Sequence, residues 1–143
     1  MEKEYQNSFR NINTNLNGED INMLSPLQLA YIGDAVYELF VRTYLLKKGT
    51  PVQKLHNETT KYVKAKSQSD IIHALEDILT EEEKSLVRRG RNAKTNSMPK
   101  NAKLMDYKYA TGFESLIGYL YLTKRDNRMV ELFNMIICIP VSN

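Results

Sequence analysis

The chain reads as an all-α protein of six or seven helices, and three observations lead there. Apolar residues recur at three- and four-residue spacing through most of the chain from Pro26 to Ile137, the period of a helix with one buried side. No run sustains the apolar-polar alternation of a strand. Helix-start signals recur as well, at Ser25-Pro26, Thr50-Pro51 and Thr80-Glu81-Glu82-Glu83.

Residues 1–22 are polar and asparagine-rich, and they read as a mobile leader, or as an arm that orders only against something else. Residues 23–143 form the single folded domain. Ser25 is the expected cap of a helix that starts at Pro26, runs to Lys48 and closes at Gly49. Leu29, Ile32, Val36, Leu39, Phe40 and Val41 nearly encircle it. A helix apolar on most sides belongs at the centre of a fold or across a subunit interface. A more polar helix follows Thr50-Pro51 through Tyr62. Ile71, Ile72, Leu75, Ile78 and Leu79 then draw a narrow stripe between Ser67 and Leu79, as on an outer helix. Thr80 and Glu83 form a capping box for a helix that Gly90 ends or bends. Residues 91–106 mix turn formers with basic side chains and read as an irregular stretch. Helical spacing returns from Tyr107 to Thr123, and Asn127 to Ile137 supplies a last amphipathic helix.

Composition removes several function classes. A chain of 143 residues can bury a core without disulfides or structural metal. Cys138 is the one cysteine, so a cysteine-rich zinc site cannot be built. His56 and His73 stand alone on expected helices and read as structural. The longest apolar runs, Leu116 to Leu122 and Met135 to Val141, fall far below the ~20 residues that span a bilayer. With no apolar leader of the signal-peptide type, a cytoplasmic protein is expected. Net charge is only +3, but eight lysines and arginines and a single acid, Asp106, lie between Lys84 and Lys108. A basic strip on an otherwise acidic body suits a polyanion. It also suits a plain solvated helix face.

Two carboxylates carry the chemistry. Asp34 lies in Tyr31-Ile32-Gly33-Asp34-Ala35-Val36-Tyr37-Glu38 and Glu114 in Phe113-Glu114-Ser115-Leu116-Ile117-Gly118, both within apolar helical segments. An unpartnered buried carboxylate is costly, so each is expected to have a compensating partner. Gly33, Ala35, Ala110 and Gly118 are small enough for the two helices to cross closely near the acids. One divalent cation could then serve both. Mg2+, with Mn2+ as a substitute, accepts one or two protein carboxylates and keeps several waters. A lysine partner or a helix cap for each acid stays open on the residues alone.

The same two helix motifs resemble the signature helices of ribonuclease III catalytic domains. The closest likeness is to the short Mini-ribonuclease III branch, which has no separate double-stranded-RNA-binding domain. Ala65-Lys66-Ser67-Gln68, Arg89-Gly90-Arg91-Asn92-Ala93-Lys94 and Pro99-Lys100-Asn101 also resemble that branch. The resemblance implies an all-helical homodimer that hydrolyses double-stranded RNA with Mg2+, leaving 5′-phosphate and 3′-hydroxyl ends. Asp34 and Glu114 would be its catalytic, metal-holding residues, and the Asp34 helix would lie at the dimer interface. The branch implies a substrate in the precursor of large-subunit (23S) ribosomal RNA.

Larger ribonucleases III carry further acids four residues before the Asp34 position and three before the Glu114 position. Ala30 and Thr111 stand there in this chain. Fewer ligands imply more waters on the ion, and they keep alive a different class of function, a non-catalytic RNA-binding ribosome-assembly factor. Glu38 shares the Asp34 face at i+4, as a supporting partner of the site or as half of a dimer salt bridge. A-form RNA is read through phosphates and 2′-hydroxyls. The candidate contacts are Arg88, Arg89, Arg91, Lys94, Lys100 and Lys103, with Lys64 and Lys66 as outlying contributors.

Overall fold

The computed structural model describes residues 9–94 and 103–141. Seven α-helices follow one another among them: α1 (Gly18–Asn22), α2 (Pro26–Leu45), α3 (Val52–Val63), α4 (Ala65–Leu75), α5 (Glu81–Asn92), α6 (Leu104–Leu122) and α7 (Asp126–Ile136). Short 3₁₀ turns sit at Phe9–Ile12 and Glu76–Ile78, and no strand occurs among the described residues. The all-α expectation is borne out.

Helix α6 is the axis of the bundle. Ala110 through Leu120 are all buried except Glu114, which is half-buried. A helix apolar on every side is stable only when neighbours enclose it, and α2, α4 and α5 pack against α6. Phe113, Leu116, Ile117 and Leu120 are fully enclosed and meet Leu29, Tyr37, Ile72 and Leu132 in one core.

The centre is therefore α6, not the Asp34 helix. Helix α2 buries Leu29, Gly33, Tyr37 and Val41 but leaves Leu27, Tyr31, Ala35 and Leu39 on its outer side. Tyr31 is 79% exposed and Leu39 61%. That row follows the i, i+4 ridge of the helix, so the apolar encirclement splits into a core face and an outward face.

Several boundaries differ from those expected. Ser25 caps α2 and Pro26 starts it as expected, with Gln28 completing a capping box, but the helix stops at Leu45 and Gly49 (φ +87°) serves a turn beyond it. At Pro51 the proline itself is the cap residue of α3, with no side-chain cap bond. Helix α5 continues through Gly90 to Asn92. A Cβ on Gly90 would lie 2.7 Å from Gly112 Cα, so this glycine serves a close α5–α6 contact and not a helix end. Part of the segment read as a leader also makes specific contacts. Ile21 is buried, Leu16 packs on the core, and Arg10 pairs with Asp126 at 2.8 Å.

Candidate active site

The site begins with a missing side chain on each of two helices. A Cβ on Gly33 of α2 would sit 1.7 Å from the Glu114 carbonyl oxygen, and one on Gly118 of α6 would sit 1.9 Å from the Leu29 carbonyl oxygen. Backbone therefore lies on backbone where α2 crosses α6, and no residue larger than glycine fits either place. Asp34 follows Gly33 directly, and Glu114 lies one turn before Gly118. The crossing delivers their carboxyl groups into hydrogen-bonding reach of one another.

Replacing Gly118 by alanine is expected to cost about 3 kcal/mol, the upper range for forcing extra atoms into a packed contact. Urea denaturation would show it as a lowered midpoint with unchanged slope. The carboxylates should separate with it, because the helices must move apart at the crossing.

The two acids differ in surroundings. Asp34 is exposed, contrary to the expectation that both lie buried, because it stands on the margin between the core face and the outward face of α2. The desolvation cost falls on Glu114 instead. Burial first, then the negative charge of Asp34 and a hydrogen bond to it, push the Glu114 carboxyl up to about 8. A hydrogen bond from Gln68 acts in the opposite direction. Without a cation, Glu114 thus holds a proton near neutral pH, as expected when two carboxyls share one place.

Gln68 of α4, which is not among the expected site residues, stands beside Glu114. It is 2% exposed. Its Nε2 donates to the Val63 carbonyl at 2.8 Å and to Glu114 Oε2 at 3.4 Å. The signal in the sequence is the Ala65-Lys66-Ser67-Gln68 string, and three consecutive polar residues, Ser67, Gln68 and Ser69, are buried on this helix.

The remaining candidates are spread out. Ala30 and Thr111 are buried, and Thr111 Oγ1 donates to the Tyr107 carbonyl at 3.0 Å. Glu38 pairs along its own helix with Arg42 at 3.4 Å. Among the described residues no group of three or more histidine, cysteine or acidic side chains could hold a metal, so Asp34 and Glu114 are the acidic donors at this place. Their all-oxygen character fits a hard cation such as Mg2+.

The basic candidates do not share one surface. Arg88 and Arg91 line a cavity with Ile72, Lys84 and Tyr109, whereas Arg89 lines another with Glu82 and Tyr119. Arg91 donates to the Tyr109 hydroxyl at 3.2 Å. Lys66 pairs with Asp70 at 2.8 Å. Lys64 precedes α4 as its cap residue, and Lys94, just past α5, and Lys103, just before α6, are exposed. Lys100 lies outside the described residues.

An all-helical body whose two acids converge over a glycine crossing, with arginines elsewhere on α5, has the parts of a helical nuclease. Residues 27–125 match the family model of the Ribonuclease III domain, and the chain belongs to the ribonuclease III family, a family of endoribonucleases. It is 50% identical over 121 residues to the Mini-ribonuclease 3 of Clostridium tetani, covering 83% of this chain and 80% of that protein. It is 48% identical over 136 residues to the Mini-ribonuclease 3 of a Thermoanaerobacter species, covering 94% and 95%. A crystal structure of a Fusobacterium nucleatum protein superposes with a TM-score of 0.75 at 37% identity, covering 82% of this chain and 95% of that one.

Proposed function

We propose that this protein is a Mg2+-dependent endoribonuclease that cuts double-stranded RNA as a homodimer and trims the precursor of 23S ribosomal RNA in the cytoplasm. The observation that carries the reading is the convergence of Asp34 and Glu114 where Gly33 and Gly118 let α2 and α6 touch. Asp34 and Glu114 would hold Mg2+, which when bound would supply the Lewis acidity to activate water and neutralise charge developing on the phosphate. Glu114 would hold the ion as a carboxylate, and Asp34 would supply the second acidic ligand. Arg88, Arg89, Arg91, Lys94, Lys100 and Lys103, with Lys64 and Lys66, offer positive charge for RNA phosphates. No helix among the described residues is long and apolar enough to cross a membrane.

Incubating the purified protein with an RNA duplex and Mg2+ tests the reading. Cleavage into 5′-phosphate and 3′-hydroxyl ends, stopped by EDTA, is expected. An intact duplex with a clear mobility shift would favour an RNA-binding factor instead. Phosphate-dominated binding should also weaken with salt, log affinity changing by ~0.9 per log unit of salt for each phosphate neutralised, on the duplex-DNA rule.

The homodimer reading rests on the outward row of Leu27, Tyr31, Ala35 and Leu39. Contiguous exposed apolar surface of this kind marks an interaction site. Pairing two copies through α2 would set two sites on one duplex, each cutting one strand. Tyr31→Glu is expected to halve the mass measured by light scattering and to reduce cleavage strongly. A mass unchanged by Tyr31→Glu and by Leu39→Glu would place the dimer contact elsewhere.

A further inference from the structure

The last carbonyls of a helix have no partner inside it, and at the end of α3 they are taken by three side chains. Ser67 Oγ donates to the Lys61 carbonyl, Tyr37 Oη donates to the Tyr62 carbonyl at 3.1 Å, and Gln68 Nε2 donates to the Val63 carbonyl at 2.8 Å. The third differs from the other two. An amide nitrogen carries two hydrogens, and the second is directed to Glu114 Oε2 at 3.4 Å. Both neighbours of that nitrogen are acceptors, which fixes the amide orientation. Its oxygen is then left over: Gln68 Oε1 is buried and without a hydrogen-bond partner among the described residues.

A buried amide oxygen without a donor costs free energy. A cap for α3 alone explains one N–H of Gln68 and neither the second N–H nor the idle oxygen. A hydrated cation brings water hydrogens to this place, and a site with only two acidic ligands leaves several waters on the ion.

We propose that Gln68 is the positioning residue of the cation site: its Nε2 holds Glu114 Oε2 and so orients that carboxyl beside Asp34, and its Oε1 accepts a hydrogen from a water carried by the cation. The inference rests on the two-carboxylate reading above and deepens it. Groups that orient metal ligands typically change affinity 10- to 100-fold when removed. Gln68 thus couples the end of α3 to the geometry of the acids, although its Cα lies on neither of their helices.

Mn2+ binding, followed by loss of the free-ion electron paramagnetic resonance signal, tests this without reference to catalysis. Gln68→Met keeps the volume and removes both N–H groups and the oxygen. It is expected to weaken Mn2+ binding about tenfold. The Mg2+ concentration for half-maximal cleavage should rise by a similar factor, with the rate largely recovered at saturating Mg2+. Ser67→Ala removes a neighbouring α3 cap and touches neither acid. It should lower the melting temperature and leave Mn2+ affinity unchanged.

Unchanged Mn2+ affinity in Gln68→Met overturns the proposal, and so does an equal loss in Ser67→Ala, which would assign the effect to the α3–α4 junction. Should Gln68→Met not fold, Gln68→Asn carries the same expectation, since its shorter side chain cannot span Val63 and Glu114. If the wild-type protein binds no Mn2+, or Glu114→Gln binds it as tightly as wild type, the two-carboxylate reading itself fails and Gln68 falls with it.

Discussion

Asp34→Asn and Glu114→Gln are each expected to slow duplex cleavage about 10³-fold or more while the protein still folds and still binds RNA. A Lewis acid contributes several kcal/mol to a phosphoryl transition state, and each ~1.4 kcal/mol is a factor of ten in rate. With two carboxylates at the site, loss of either removes half of the acidic donor set. Neither substitution changes side-chain volume appreciably, and neither residue carries the core: Asp34 is exposed and Glu114 half-buried. Single-turnover cleavage at saturating protein, set beside a mobility shift with the same duplex, separates chemistry from binding. Cleavage within tenfold of wild type in either variant would remove that acid from the reaction.

The second large effect is a link between pH, cation and stability at Glu114. Its carboxyl is raised from 4.5 to about 8 in the folded, cation-free protein, through burial and then the Asp34 charge. Between those values the folded state holds a proton that the unfolded chain releases, so stability falls as pH rises. The contribution is whole below 4.5 and gone above about 8.

Glu114→Gln, which never ionises, should therefore melt above the cation-free wild type at pH 8.5, by roughly 5–10 °C after allowance for solvent on the Asp34 side. Mg2+ should recover most of that deficit in the wild type at pH 8 and less at pH 6, where protons compete for the site. It should not change the melting of Glu114→Gln. Calorimetry across pH 5 to 8.5, with and without Mg2+, measures all of these. A wild-type melting temperature that rises steadily across that range without Mg2+ would contradict the assignment.

The pairing of the acids was legible in the sequence because its cause is local. Gly33 adjoins Asp34, Gly118 lies one turn from Glu114, and glycines inside helices signal a close contact. Gly90 shows the limit of the same signal: a glycine near a helix end reads as a stop until its neighbour, Gly112, is known. The exposure of Asp34 was illegible for a related reason. Apolar residues around α2 look alike whether they face the chain's own core, as Leu29 and Tyr37 do, or point outward, as Tyr31 and Leu39 do.

Gln68 could not be found by spacing. Its hydrogen bond to Glu114 joins residues 46 apart on different helices, and no periodicity encodes it. The separation of Arg88 from Arg89 follows from helix geometry, since neighbours on a helix point about 100° apart. The cavities that receive them depend on α1, α4 and α6.

Anomalous diffraction from crystals soaked in Mn2+, recorded at the manganese edge, addresses the central claim most directly. One peak within ligand distance of both Asp34 and Glu114 carboxylates, absent from Glu114→Gln crystals, is the predicted result. Crystals that cleave RNA with Mn2+ yet show the ion bound to neither acid would contradict the account.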